Sequence, residues 1–102
     1  TGGGLSNLLR LHPSLGYHID NPLPSLPEFD WLQEVGGVSD YEMARTFNMG
    51  MGLCIVVSKE SANSILSWLK EYEIQGCAIV GCVNDNGHRV THINPDICFE
   101  HY

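Results

Sequence analysis

The chain has 102 residues, 43% of them apolar, a near-neutral mean hydropathy and a formal net charge of −7. This is enough for one soluble domain or less. The acidic balance argues against nucleic acid, whose phosphates demand clustered Lys and Arg. No apolar run reaches the roughly 18 residues that a membrane span needs.

The chain opens on Thr1-Gly2-Gly3-Gly4. A glycine loop needs something on both sides, and no initiator Met precedes it, so a piece of a longer protein is expected. Leu5, Leu8, Leu9 and Leu11 predict a short helix ended by His12-Pro13. The glycines then sit at its start, where orphan N–H groups favour anions, or they form a simple flexible turn. Tyr17-His18-Ile19-Asp20 reads as a short strand closed by Asn21-Pro22. Asp20 at its end is a turn former or faces a cleft, and the turn is preferred. Pro22, Pro24 and Pro27 mark an extended surface connection.

Ser25 and Glu28 have the spacing of a capping box, and Phe29, Trp31 and Leu32 give the following helix an apolar side up to Gly36-Gly37. A second start follows at once, with Ser39 and Glu42 as the box and Val38 and Met43 as a hydrophobic staple. That helix runs to about Phe47 and delivers Asn48 to the turn Met49-Gly50-Met51-Gly52. Leu53-Cys54-Ile55-Val56-Val57 lacks polar alternation, so a strand buried on both faces is expected. Ser58 is the expected cap of a third helix, with Ala62, Ile65, Leu66 and Leu69 as its inner stripe. Cys77 to Val83 is a second apolar strand. Asp85-Asn86-Gly87 is a hairpin signal that returns Arg89 to Ile93 as its partner. Beyond Pro95 a loose tail is expected. The whole reads as a single α+β domain over residues 1–102, with helices packed on a mixed, mainly antiparallel sheet.

Cys54, Cys77, Cys82 and Cys98 permit disulfides by number. The first three lie in apolar, strand-like runs, so buried free thiols of a cytoplasmic protein fit better. No basic-then-apolar leader points to secretion. Cys77, Cys82, His88 and His92 have poor zinc spacing, and the two thiols, five apart on one strand, fall on opposite faces. No Cys occupies an electropositive turn or a helix start, as an activated nucleophile would. What remains is two glycine-rich turns and Arg45, one of five strong cations. Asn48 with Gly50 and Gly52 is either a helix C-cap with a tight turn or bare backbone N–H groups presented to a ligand.

Three stretches together carry a resemblance: Thr1 to Leu5, Trp31-Leu32-Gln33-Glu34 followed by Gly36-Gly37-Val38-Ser39, and Arg45-Thr46-Phe47-Asn48-Met49-Gly50-Met51-Gly52. With Glu42-Met43, Val56-Val57-Ser58 and Ile79-Val80-Gly81, they closely resemble the C-terminal domain of the aminoimidazole ribonucleotide (AIR) synthase, or phosphoribosylformylglycinamidine cyclo-ligase, family. The similarity extends to about Val90. The triple glycine is shared more loosely with related ATP-using enzymes. The resemblance implies an ATP-dependent, magnesium-requiring ring closure of formylglycinamidine ribonucleotide in purine synthesis, by a homodimeric enzyme. It implies that the nucleotide motif and dimer sheet lie in an N-terminal part absent here, so this piece alone would be inactive. By the same resemblance Gly2, Gly3, Gly4 and Asn48 contact substrate or phosphate, with Arg45, Gly50 and Gly52 behind them. No catalytic residue and no metal ligand is assigned. A non-catalytic ligand-binding or assembly module, or a sibling ATP-using enzyme, is the alternative.

Overall fold

A computed structural model describes residues 2–74 and 76–102. Thr1, part of the opening glycine motif, lies outside the described residues. Its core is a four-stranded sheet in the order β2-β1-β3-β4, formed by β1 (Gly16–Ile19), β2 (Gly81–Asn84), β3 (Val90–His92) and β4 (Cys98–Phe99). β1 pairs antiparallel with β2 and parallel with β3, and β3 pairs antiparallel with β4. The sheet is therefore mixed and mainly antiparallel, and the architecture is α+β.

Alternation along β1 decides which face is inward. Tyr17 and Ile19 are buried while His18 between them is only half-buried. Leu5 and Leu9 from a 3-10 helix (Gly4–Arg10), Ala44 from α2 (Asp40–Thr46), and Val90, Ile97 and Phe99 join them in one apolar cluster. Full burial of one such large apolar side chain is worth about 1.5–3 kcal/mol.

The helix starts test the local reading. Ser39 caps α2 as its spacing predicts, its Oγ accepting the Glu42 N–H at 3.2 Å. α1 (Pro27–Gly36) begins differently. Its N-cap is Leu26, with no side-chain cap, because Pro27 occupies the first turn and needs no acceptor for the N–H it lacks. Gly37 ends α1 in the left-handed region, with φ 61. α3 (Ala62–Glu71) starts after Ser61 rather than at Ser58. Ser58 and Ser61 instead bond each other through their hydroxyls at 2.9 Å.

Four further expectations are corrected. β2 and β3 do not form a hairpin, because β1 lies between them. The segment joining them passes over the start of β1, where the Arg89 carbonyl accepts the Tyr17 N–H at 2.9 Å and His88 Nδ1 donates to the Leu15 carbonyl at 2.9 Å. The stretch from Leu53 to Val57 is not a buried strand. It pairs with no strand among the described residues, and Leu53 is 82% exposed. The tail is not loose. An Asx turn at Asn94, closed by the Asp96 N–H at 3.0 Å, sends the chain back so that Phe99 pairs beside Val90 and is 1% exposed. Finally, no cysteine is buried: Cys54 and Cys82 are exposed, Cys77 and Cys98 half-buried, and all four are free.

The apolar sides of α1 and α3 reach the core less than their spacing predicts. Neither helix has a buried residue, and Trp31 is 62% exposed. On α3 the inner stripe is half-buried, while Trp68 and Tyr72 pack on each other with ring centroids 4.5 Å apart. Among the described residues no helix is long and apolar enough to cross a membrane.

Candidate functional site

The two glycine turns, far apart in sequence, meet at one cleft of about 550 Å³. Gly2, Gly4, Asn48 and Gly52 line it, together with Asn7, Phe29, Phe47 and Cys54 among others. Of the residues singled out from the sequence, Gly3, Gly50 and Arg45 are not on its wall.

The loop from Gly2 to Gly4 runs at positive φ throughout, with values of 71, 80 and 48. Its carbonyls are turned inward and used. Ser6 Oγ donates to the Gly3 oxygen at 2.6 Å, and Asn7 Nδ2 donates to the Gly2 oxygen at 2.6 Å and the Gly4 oxygen at 3.2 Å. With its carbonyls held this way, the N–H of Leu5 finds no acceptor among the described residues. Asn7 was not singled out from the sequence. A polar side chain one turn after a glycine loop is the signal that could have found it.

The second turn is equally constrained. Met49 and Gly50 have φ of 52 and 91, the positive pair of a type I′ turn, and Met51 N–H closes it on the Asn48 carbonyl at 3.0 Å. Asn48 Oδ1 accepts the Gly50 N–H at 2.9 Å. The side-chain oxygen is thus committed to the turn, and the Asn48 amide NH2 remains for the cleft.

The glycines separate by what a side chain would meet. A Cβ on Gly4 would strike the carbonyls of Ala44 and Phe47, so this glycine lets the 3-10 helix seat on the end of α2. A Cβ on Gly50 would lie 2.6 Å from the Pro24 carbonyl. Gly52 meets nothing within 4 Å and needs no positive φ. Neither packing nor backbone explains it, and it faces the cleft.

Arg45 is engaged on its own helix. Its Nη1 donates to the Tyr41 hydroxyl at 3.1 Å, and the Tyr41 ring packs on Phe99 at 4.9 Å between centroids. Phe29 of α1 packs on Phe47 at 5.3 Å and closes one side of the cleft. Cys54 is exposed as a residue, yet desolvation along the cleft edge pushes its thiol above the usual value. That shift runs opposite to the one that activates a cysteine nucleophile. Asp20 is exposed at the end of β1, and its N–H bonds the Val80 carbonyl. Among the described residues no three His, Cys, Asp or Glu side chains come together to hold a metal.

Residues 1–94 match the family described as AIR synthase related protein, C-terminal domain. The chain belongs to this family. It is 45% identical over 87 residues to the phosphoribosylformylglycinamidine cyclo-ligase of Methanococcus vannielii, covering 84% of this chain and 24% of that protein. Against the protein of the same name from Methanocaldococcus jannaschii it is 40% identical over 94 residues, 88% of this chain and 27% of the relative. The Methanopyrus kandleri protein of that name is 37% identical over 94 residues, 92% and 27% respectively. The chain thus spans about a quarter of the length of these curated relatives. Both cleft turns fall inside the AIR synthase C-terminal match, as do all four strands except β4.

Proposed function

We propose that this chain supplies one wall of the substrate cleft in a phosphoribosylformylglycinamidine cyclo-ligase of de novo purine biosynthesis. The observation that carries the reading is the convergence of the Gly2–Gly4 loop and the Asn48–Gly52 turn on a single cleft. The names of the relatives supply the reaction. In it the formyl amide oxygen of formylglycinamidine ribonucleotide takes the γ-phosphoryl group of ATP. The neighbouring amidine nitrogen then attacks the activated carbon, the C–O bond breaks, and phosphate leaves with that oxygen, giving aminoimidazole ribonucleotide. Such chemistry asks for positioning and for neutralisation of phosphate charge more than for a protein nucleophile. Here the Leu5 N–H and the Asn48 amide NH2 are the donors offered to a phosphate or ribose oxygen. Gly52 leaves room for the ligand against bare backbone.

On this reading the ATP site and the ligands for magnesium lie mainly in the part of the relatives that this chain does not span. Dimerisation through that part, a cytoplasmic location and inactivity of the isolated chain belong to the same proposal. The test uses a full-length protein containing this chain. Formation of aminoimidazole ribonucleotide from formylglycinamidine ribonucleotide, ATP and magnesium is measured for wild type, Asn48→Ala and Gly52→Val. Turnover in the parent with a raised KM in folded variants is expected. Unchanged kinetics in both variants would refute the site assignment.

A second reading, an assembly module, rests on one feature: the apolar run Leu53 to Val57 is exposed and unpaired among the described residues. Self-association of the chain, with no affinity for the nucleotide substrate in its parent, would favour that reading.

A further inference from the structure

We propose that His92, Asn94, Asp40 and Gln33 form an acid-operated latch that ties the turn after β3 to the α1–α2 pair and so fixes one wall of the cleft. Three hydrogen bonds run in series. His92 Nδ1 accepts the Asn94 N–H at 2.9 Å. Asn94 Nδ2 donates to Asp40 Oδ2 at 3.0 Å, and Gln33 Nε2 donates to Asp40 Oδ1 at 2.7 Å. Asp40 is the first residue of α2, and Gln33 lies on α1. The series therefore joins the sheet to both helices through one carboxylate.

The first bond sets the protonation state. A backbone N–H can donate to Nδ1 only while that nitrogen keeps its lone pair, so His92 must be neutral with its proton on Nε2. The contact mimics an Asx turn, with imidazole nitrogen in place of the carboxamide oxygen. The titratable groups near His92 are His18 of β1, which acts on it through charge, Asp40 of α2, reached by way of Asn94, and Asp96, whose backbone N–H bonds the Asn94 side chain in the same turn. Burial first, and the neighbouring His18 second, hold the His92 pKa below its ordinary value of 6.5, which favours the closed form. Once protonated, the imidazolium repels the Asn94 N–H, the turn opens, and Asn94 no longer meets Asp40.

The effect reaches the cleft because each helix has one end on it, α1 its start and α2 its finish. α1 supplies Phe29, and α2 supplies Thr46 and hands on to Phe47 and Asn48. This inference does not depend on the ligand or the reaction assigned above.

Amide hydrogen exchange, corrected for intrinsic rate, tests it in the 102-residue chain between about pH 7.5 and 5, a window in which a histidine titrates while Asp40, held below its ordinary value, stays charged. Protection of Asp40–Thr46 and of the turn at Asn94–Ile97 is expected to fall together by about three- to tenfold, the order set by one lost hydrogen bond. His92→Asn keeps the turn acceptor without titrating there, so its α2 protection is expected to stay flat across the window. Should that variant fail to fold, Asn94→Ala is expected to hold α2 at the acid-level protection at every pH. A turn that loosens while α2 stays protected would overturn the latch. So would an unchanged pH response in either variant.

Discussion

Replacing Gly4 by alanine separates a glycine needed by the fold from one left free for a ligand. At φ 48 an L-residue pays the left-handed penalty of about 1–2 kcal/mol. The new methyl would also meet the Ala44 carbonyl and lie 2.7 Å from the Phe47 carbonyl, both backbone atoms that cannot swing away. Overpacking of this kind adds about 1–3 kcal/mol. The expected loss is therefore about 2–5 kcal/mol, a large part of the roughly 5–15 kcal/mol that holds a domain. Gly52→Ala is the control. Its methyl points into open space, and a change within about 0.5 kcal/mol is expected. Urea unfolding of both variants and wild type gives the comparison, read from the midpoint at constant m. A Gly4→Ala cost below about 0.5 kcal/mol, or equal costs for the two variants, would refute the assignment of Gly4 to helix seating.

Ser39→Ala removes the α2 cap and is expected to cost about 1 kcal/mol by the same unfolding measurement, with the cleft residues otherwise unchanged. Phe99→Ala empties the core beside Val90 and is expected to cost about 3–5 kcal/mol, which a loose tail would not. Asp40 gives a pH prediction. Its hydrogen bonds from Gln33 and then Asn94 hold its carboxyl below 3.8, so its contribution is present above that pH and is lost as pH falls through the lowered value. In Asp40→Asn the part of the acid limb due to this group is expected to vanish from a thermal-melting profile against pH.

Legibility followed the range of the interaction. The Ser39 cap, the Gly37 stop and the Asn48 turn depend on residues within a few positions, and the sequence showed all three. Ser25 looked like an equal cap, but Pro27 set the start of α1 two residues on. The β2–β3 hairpin failed for a different reason. Asn86-Gly87 does turn the chain, with Gly87 at φ 110, but a turn does not choose its strand partners. β1 offers β2 and β3 a buried neighbour on each side, and wins. Leu53 to Val57 shows the limit of hydropathy. An apolar run says that burial is favourable without saying what covers it. In the site, glycine spacing pointed to both turns, whereas the separate roles of Gly4, Gly50 and Gly52 required knowing what faces each Cα. Arg45 was drawn in by its charge, and its guanidinium bonds the Tyr41 hydroxyl.

The strand order has a consequence for synthesis. β1 is made long before its neighbours: one begins only at Gly81 and the other only at Val90, and Phe99, which closes the core, comes later still. Until then the nascent chain carries Tyr17 and Ile19 on a strand bare along both edges. Sheet formation thus waits for β3 and β4, and chains cut short before β3 would present an open template for pairing with one another. Mutations or stalls in the stretch from Gly81 to Phe99 would therefore act on yield through aggregation, well before they act on the cleft.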